Sequence, residues 1–240
     1  MPGAELIVLA GGLGTRLRPA VPDLPKPLAP VAGHPFLHHQ LANWLAQGIT
    51  SMTFLLQHQA DVIESFLDAE RSSGHLADVR VRTVIEPQPL GTGGCVAHAV
   101  RKLQLSGSFL VANADTWLGS GIAELCAADD AARMVVVAVE DSGRYGAVRL
   151  EDADVVAAFE EKREHAGPGW INAGLYRLPA DLFGDWDGQP FSLERELFPR
   201  LVAKRRLAAV RLHAAFIDIG VPTDYFRFNR WVESGRVGLP

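Results

Sequence analysis

An α/β protein with a largely parallel mixed sheet and a small antiparallel annex is predicted by three observations. Short apolar runs alternate with helix-period stretches through residue 130. After residue 140 the rhythm changes to short strands joined by turn-rich segments. Hydrophobic residues make up 48% and charged residues 21% of the 240 residues, which is ordinary globular usage and excludes disorder as the main state. A chain of this length buries enough surface to need no disulfide or metal staple.

Taken in order, Glu5 to Ala10 reads as a buried first strand. Phe36 to Gln47 reads as a helix with Leu37, Leu41, Trp44 and Leu45 on one face and Gly48 at its C′ position. Met52–Gln57, Val79–Ile85, Phe109–Ala112 and Met134–Glu140 are the following strands, with Ala60–Ala69 and Thr92–Leu103 as helices between them. Successive βα units give a Rossmann-like sheet flanked by helices, with ligand loops at the strand C-termini. Gly146–Glu151, Val155–Phe159 and Trp170–Arg177 form the antiparallel annex. Ser192 caps a helix to Ala203, Phe216–Gly220 is a strand end, and Thr223–Ser234 is the closing helix. No linker or repeat divides the chain, so a single domain is expected over 1–240.

Composition narrows the function. A net charge of −5, from 23 basic and 28 acidic residues, argues against nucleic acid as a partner. The Lys204-Arg205-Arg206 cluster reads as cations at a helix C-terminus. Two cysteines, Cys95 and Cys126, lack ligand spacing and suit a reducing cytoplasm. The apolar runs are too short for a signal peptide or a membrane span, so a cytoplasmic protein with no membrane partner is expected. The eight histidines match no HExxH or clustered pattern, and His34/His38 is read as ordinary surface histidines with no metal assigned.

The chemistry concentrates where strand one ends. Leu9-Ala10-Gly11-Gly12-Leu13-Gly14-Thr15-Arg16 is a glycine-rich turn whose successive N–H groups can approach a phosphate. It lacks the Gly-Lys-Ser/Thr of a Walker A loop, and Leu17 replaces the third dinucleotide-fingerprint glycine. By itself such a turn is equally a structural tight turn. Prolines at 19, 22, 25, 27 and 30 then stiffen a loop that carries Lys26. A guanidinium and an ammonium held on such a loop suit the charge of a migrating triphosphate. Asp115 and Asp218 each follow a strand, 103 positions apart. As carboxylates at strand ends they can converge to hold Mg²⁺, or serve as turn and helix caps.

Residues 9–30, together with EPQPLGTGG (86–94), NAD (113–115), Tyr145-Gly146, Glu161-Lys162, INAG (171–174) and FIDIG (216–220), resemble the sugar-1-phosphate nucleotidylyltransferases from about residue 5 to 230. DLPKPLAPV, PLGTGG and FIDIGVPTDY are similar to the D-glycero-D-manno-heptose 1-phosphate guanylyltransferases. Mannose-1-phosphate guanylyltransferases and N-acetylmuramate-1-phosphate uridylyltransferases are near neighbours.

The resemblance implies an enzyme that joins GTP to a manno-heptose 1-phosphate, giving GDP-heptose and pyrophosphate with Mg²⁺ as cofactor. It implies catalytic roles for Arg16, Lys26, Asp115 and Asp218, the two aspartates holding the metal. Leu9, Gly11, Gly12, Gly14, Thr15, Glu86, Gly91 and Thr92 would serve the nucleotide. Gly146, Glu161, Lys162 and Asn172 would serve the sugar phosphate. On this reading 1–130 is the nucleotide-binding part and 140–220 the sugar-binding part, in a pathway to capsule or lipopolysaccharide. A homodimer is left open. Glu86 either accepts from the adjacent N1–H and N2–H₂ of guanine or caps the helix near Thr92. Asn113-Ala114-Asp115 departs from the family's Asn-Gly-Asp, which requires a turn that alanine tolerates. A non-catalytic nucleotide-sugar-binding regulator is the alternative from another class.

Overall fold

In the computed structural model, which describes residues 4–127, 129, 131–143, 145–160 and 167–237, the chain opens on β1 (Leu6–Leu9), with Leu6, Ile7 and Val8 fully buried. The proline-rich loop leads to a single 3-10 turn, Lys26–Leu28. A short pair, β2 (Pro30–Val31) and β3 (His34–Pro35), then feeds α1 (Phe36–Ala46). Beyond α1, Gly48 takes a left-handed φ of 88°, as its C′ position predicts. There follow β4 (Ser51–Leu56), α2 (Ala60–Ser72), β5 (Arg80–Ile85) and α3 (Gly91–Leu103). Next come β6 (Ser108–Asn113), β7 (Thr116–Leu118), α4 (Ile122–Ala127) and β8 (Ala132–Val139). The later half holds β9 (Val148–Leu150), β10 (Val156–Phe159) and β11 (Gly169–Pro179). A π-type turn, Leu193–Leu197, runs into α5 (Phe198–Ala203), then β12 (Leu207–Leu212), β13 (Phe216–Asp218) and α6 (Pro222–Glu233).

The main sheet has the strand order β12-β8-β11-β6-β1-β4-β5. β1, β4 and β5 run parallel, Leu6 facing Met52 and Ser51 facing Arg80. β12 runs parallel to β8, whereas β11 is antiparallel to it. This is the expected mixed sheet flanked by helices. Among the described residues, no helix is long and apolar enough to cross a membrane.

Two compact units make up the chain. One comprises Met1–Gln88, Ala112–Gly119 and Phe216–Pro240. Its core packs Phe36 against Phe228 edge to face, with ring centroids 4.9 Å apart. The other comprises Pro89–Val111 and Ser120–Ala215. There Tyr176 packs on Phe198 at 4.9 Å.

Several elements depart from the sequence expectation. Trp170–Arg177 is expected in the annex, but β11 joins the main sheet, and of the three expected annex strands only β9 and β10 pair apart from it. The run is long and buried enough to be a central strand. β7, α4 and β12 were not anticipated, because each is short or follows a charged cluster that hides its apolar face. Ser192 does cap its helix: its Oγ accepts from the Arg195 N–H at 3.2 Å. Lys204-Arg205-Arg206 follows α5, as a helix C-terminus predicts, and Arg205 pairs with Glu151 at 2.6 Å.

Candidate active site

β1 delivers the glycine-rich turn. The Ala10 N–H donates to Leu55 O (3.0 Å) and the Ala114 N–H to Leu9 O (3.1 Å), so the chain stays tied to the sheet up to the turn. Leu17 then turns inward, 1% exposed, and its N–H donates to Gly14 O. Leu17 therefore anchors the turn in the core where a dinucleotide fold would place a glycine. A cleft of about 290 Å³ opens above it, lined by Leu9, Gly12, Gly14, Thr15, Arg16 and Lys26, with Asp115 and Gly220 at its edge. Thus the predicted loop residues and one predicted carboxylate share one concave surface.

Lys26 is placed by the proline loop. Pro25 precedes the 3-10 turn, Leu28 N–H donates to Pro25 O at 2.8 Å, and Pro27 and Leu28 are buried. The lysine side chain is only 9% exposed, and its Nζ lies 2.5 Å from Asp115 Oδ2 and 3.5 Å from Asp218 Oδ1. The two aspartates meet because β7 and β13 pair antiparallel, with Thr116 opposite Asp218. The Ile219 N–H donates to Asp115 O at 3.0 Å and extends that pairing by one step. Ala114, in place of the family glycine, keeps a negative φ and is buried.

Charge in this cluster is close to balanced: Arg16 and Lys26 against Asp115 and Asp218. Burial and the neighbouring Asp115 charge push the Asp218 carboxyl above its usual range. Lys26, the Gly220 N–H (2.6 Å to Oδ1) and Arg16 pull the other way without cancelling this. Two carboxylates held together at this cost supply hard oxygen donors, and a further cation would relieve their crowding. The donor set therefore fits a magnesium-type ion.

Gly220 is a site residue that the sequence reading quoted but did not assign. A Cβ there would lie 2.7 Å from both Asp218 Oδ1 and Lys26 Nζ, and 3.3 Å from an Arg16 nitrogen. A glycine here lets the three charged tips close on one point without being displaced. The signal was its position directly after the FID strand.

Glu86 follows β5, where its N–H donates to Leu56 O at 2.9 Å. Its Oε1 lies 3.0 Å from the position a Gly11 Cβ would take, so carboxylate and glycine turn adjoin. Gly91 and Thr92 begin α3 in the other unit. There the Gly93 and Gly94 N–H groups donate to Phe191 O. The Thr92 hydroxyl donates to Glu194 (2.7 Å) and accepts from the Leu193 N–H (2.9 Å). These contacts hold the helix start to Phe191 and to the first residues of the π-type turn. Gly146 closes a turn onto Ser142 O at 3.0 Å. Asn172 donates to the Tyr176 hydroxyl (2.8 Å) and accepts from the Gly174 N–H (2.9 Å), pinning the irregularity where β11 slips against β8. Glu161 and Lys162 lie outside the described residues.

A family model described as nucleotidyl transferase matches residues 5–235. D-glycero-alpha-D-manno-heptose 1-phosphate guanylyltransferase of Campylobacter jejuni subsp. jejuni is 33% identical over 225 residues, 93% of this chain and 98% of that protein. Mannose-1-phosphate guanylyltransferase of Mycobacterium tuberculosis is 34% identical over 230 residues, 93% of this chain but 63% of the longer relative. The crystal structure of HddC from Yersinia pseudotuberculosis superposes with a TM-score of 0.84 at 31% identity, covering 95% of this chain and 99% of that one. A second structure of the same protein, complexed with GMP-PN, gives a TM-score of 0.83.

Proposed function

Because the chain belongs to the nucleotidyl transferase family, we propose that it joins GTP to D-glycero-D-manno-heptose 1-phosphate, forming GDP-heptose and pyrophosphate. A sugar-phosphate oxygen attacks the α-phosphorus, and the bond to the β-phosphate oxygen breaks as pyrophosphate leaves. The single observation that carries the reading is Lys26 held between Asp115 and Asp218 at the rim of the glycine turn. Phosphoryl and nucleotidyl transfers are accelerated mainly by positioning and by neutralising charge.

Each residue has a part in this reading. Gly11, Gly12 and Gly14 let the backbone come close to the nucleotide, with Leu9 and Thr15 beside them. Arg16 and Lys26 neutralise the phosphates. Asp115 and Asp218 would hold Mg²⁺, which when bound supplies positive charge to the phosphate oxygens. Glu86, an acceptor only, would read the paired donors of guanine. Gly91 and Thr92 keep a nucleotide role only through the backbone, since the threonine hydroxyl is engaged. Gly146, Glu161, Lys162 and Asn172 would serve the sugar phosphate, so that 1–130 handles the nucleotide and 140–220 the sugar. Two free thiols suit a reducing cytoplasm.

Support for heptose comes from the similarity to the Campylobacter jejuni guanylyltransferase. The mannose reading stands second, on the similarity to the Mycobacterium tuberculosis enzyme. Pyrophosphate release with four nucleoside triphosphates against heptose, mannose and N-acetylmuramate 1-phosphates tests both. Fastest turnover with GTP and the heptose substrate is expected. Fastest turnover with mannose 1-phosphate moves the protein to the second reading. UTP used at least as well as GTP overturns the base assignment. No pyrophosphate from any pair leaves the regulator.

A further inference from the structure

The histidines that the sequence left unassigned do not behave as isolated surface residues. His38 lies in the first turn of α1, Glu70 in the last turn of α2, and His75 in the turn that follows that helix. His38 Nδ1 is 3.0 Å from Glu70 Oε1 and 3.2 Å from Oε2, and His75 Nδ1 is 2.5 Å from the same Oε2. All three ligand atoms lie within 4.8 Å of one another. The histidine side chains are 22% exposed and the glutamate 12%, so the group is half-buried and within reach of solvent.

We propose that His38, Glu70 and His75 form a binding site for a zinc-type transition-metal ion, separate from the Asp115–Asp218 pair. Two imidazoles and one carboxylate are a donor set that suits zinc, with solvent in the fourth position. Metal–ligand bonds of about 2.0–2.1 Å arranged tetrahedrally place neighbouring ligand atoms about 3.3 Å apart. The Nδ1–oxygen separations of 2.5 and 3.2 Å around Oε2 both fall short of that value, so the His75 ring must draw back by somewhat under about 1 Å to admit the ion.

The surroundings support the same conclusion. An ionised carboxylate only accepts, so both Nδ1 atoms donate protons to Glu70 when no metal is bound. Burial pushes the Glu70 carboxyl up, but the hydrogen bonds and charge of His75 and His38 outweigh it and hold it below its usual range. One divalent ion would take the place of the two Nδ1 protons, which would pass to Nε2 or to solvent. His34 stacks on His38 with ring centroids 4.5 Å apart and planes 17° off parallel, which fixes that ring's orientation. Binding would clamp the start of α1 to the end of α2, both within the unit that carries the glycine turn. This inference does not depend on the proposed reaction.

The test uses the full chain, stripped with a chelator and titrated with Zn²⁺ by calorimetry and with Co²⁺ by visible absorption, with excess Mg²⁺ present throughout. One equivalent of each ion should bind, with the intense Co²⁺ bands of a tetrahedral site. At about 100 times Kd, Zn²⁺ should raise Tm by about 5–10 °C. His75→Ala and Glu70→Gln should each weaken binding by tenfold or more, whereas Asp115→Asn should not. Glu70→Gln keeps the size of the side chain, so it reports on ligation if the alanine variant folds poorly. Equal Zn²⁺ affinity in wild type and both variants, or no binding at 100-fold excess over protein, would overturn the proposal.

Discussion

Replacing Lys26 with methionine removes one positive charge while keeping most of the stem that packs beside Pro27. The ammonium sits 2.5 Å from Asp115 Oδ2 and 3.5 Å from Asp218 Oδ1 and is nearly buried. Without it, two carboxylates face each other, and Asp218 is already pushed toward its neutral form by burial and by Asp115. Removing one member of a buried charge cluster costs about 3–5 kcal/mol. Asp115 and Asp218 keep 35% and 27% side-chain exposure, so water screens part of that cost. The expectation is about 3 kcal/mol by urea unfolding, the lower end of that range. A domain with an ordinary 5–15 kcal/mol of stability still folds after this loss. In steady-state pyrophosphate release, kcat should fall by on the order of 10²–10³, because one electrostatic stabiliser of the transition state is gone. The double variant Lys26→Met/Asp218→Asn separates the two effects. It should recover part of the stability, since the repulsion has been removed, but none of the turnover. A Lys26→Met protein destabilised by less than about 1 kcal/mol with near wild-type kcat would refute the reasoning, because the pair energies argued here would then be absent.

Three further outcomes are expected. Gly220→Ala inserts a Cβ 2.7 Å from both Lys26 Nζ and Asp218 Oδ1; flexible tips can yield, so unfolding should change by at most about 1 kcal/mol while kcat drops on the order of 10² through misplacement. Unchanged turnover would show that the cluster tolerates reshaping. Glu86→Gln should erode the GTP-over-UTP ratio by about tenfold, read from kcat/KM for each nucleotide, and an unaltered ratio would remove Glu86 from base recognition. At Glu5, burial pushes the carboxyl up, but hydrogen bonds from Ser51 and Thr53 and the Arg82 charge hold it below its ordinary 4.5. The folded value is depressed, so this stability is present above about pH 4.5 and is lost as pH falls through the folded value. Urea unfolding from pH 7 to 3 should lose this part of its acid limb in Glu5→Gln, and identical limbs would contradict it.

What the sequence made legible were features whose chemistry is local. The apolar runs of β1 and β4 announce buried strands because Leu, Ile, Val, Met and Phe lie on both faces. Gly48 announces a helix end because one residue there needs a left-handed φ. Lys26 stood out because prolines on both sides leave its backbone little freedom. The rest depends on partners far along the chain. β12 reads as part of a charged stretch until β8 is known to cover it. β11 looks like an annex strand until its antiparallel partner in the main sheet is seen. His38 and His75 lie 37 positions apart, and no linear pattern announces the glutamate between them.

The placement of Asp218 ties these two kinds of information together. A carboxylate after a strand is ambiguous alone, since turns and helix caps use the same residue. Its neighbours resolve the ambiguity through pairing: β13 sets Asp218 opposite Thr116, and the Ile219 N–H reaches back to Asp115 O. That ladder spans only three residues on each strand, yet it fixes the separation of two carboxylates 103 positions apart in the sequence. A one-residue slip would turn Asp218 to the other face and leave Lys26 with a single partner. The short β7–β13 ladder is therefore as much a part of the proposed reaction centre as the charged groups themselves. Gly220 follows from the same constraint, because a chain that presents Asp218 to Lys26 passes so close to both that any Cβ there would push their charged tips aside.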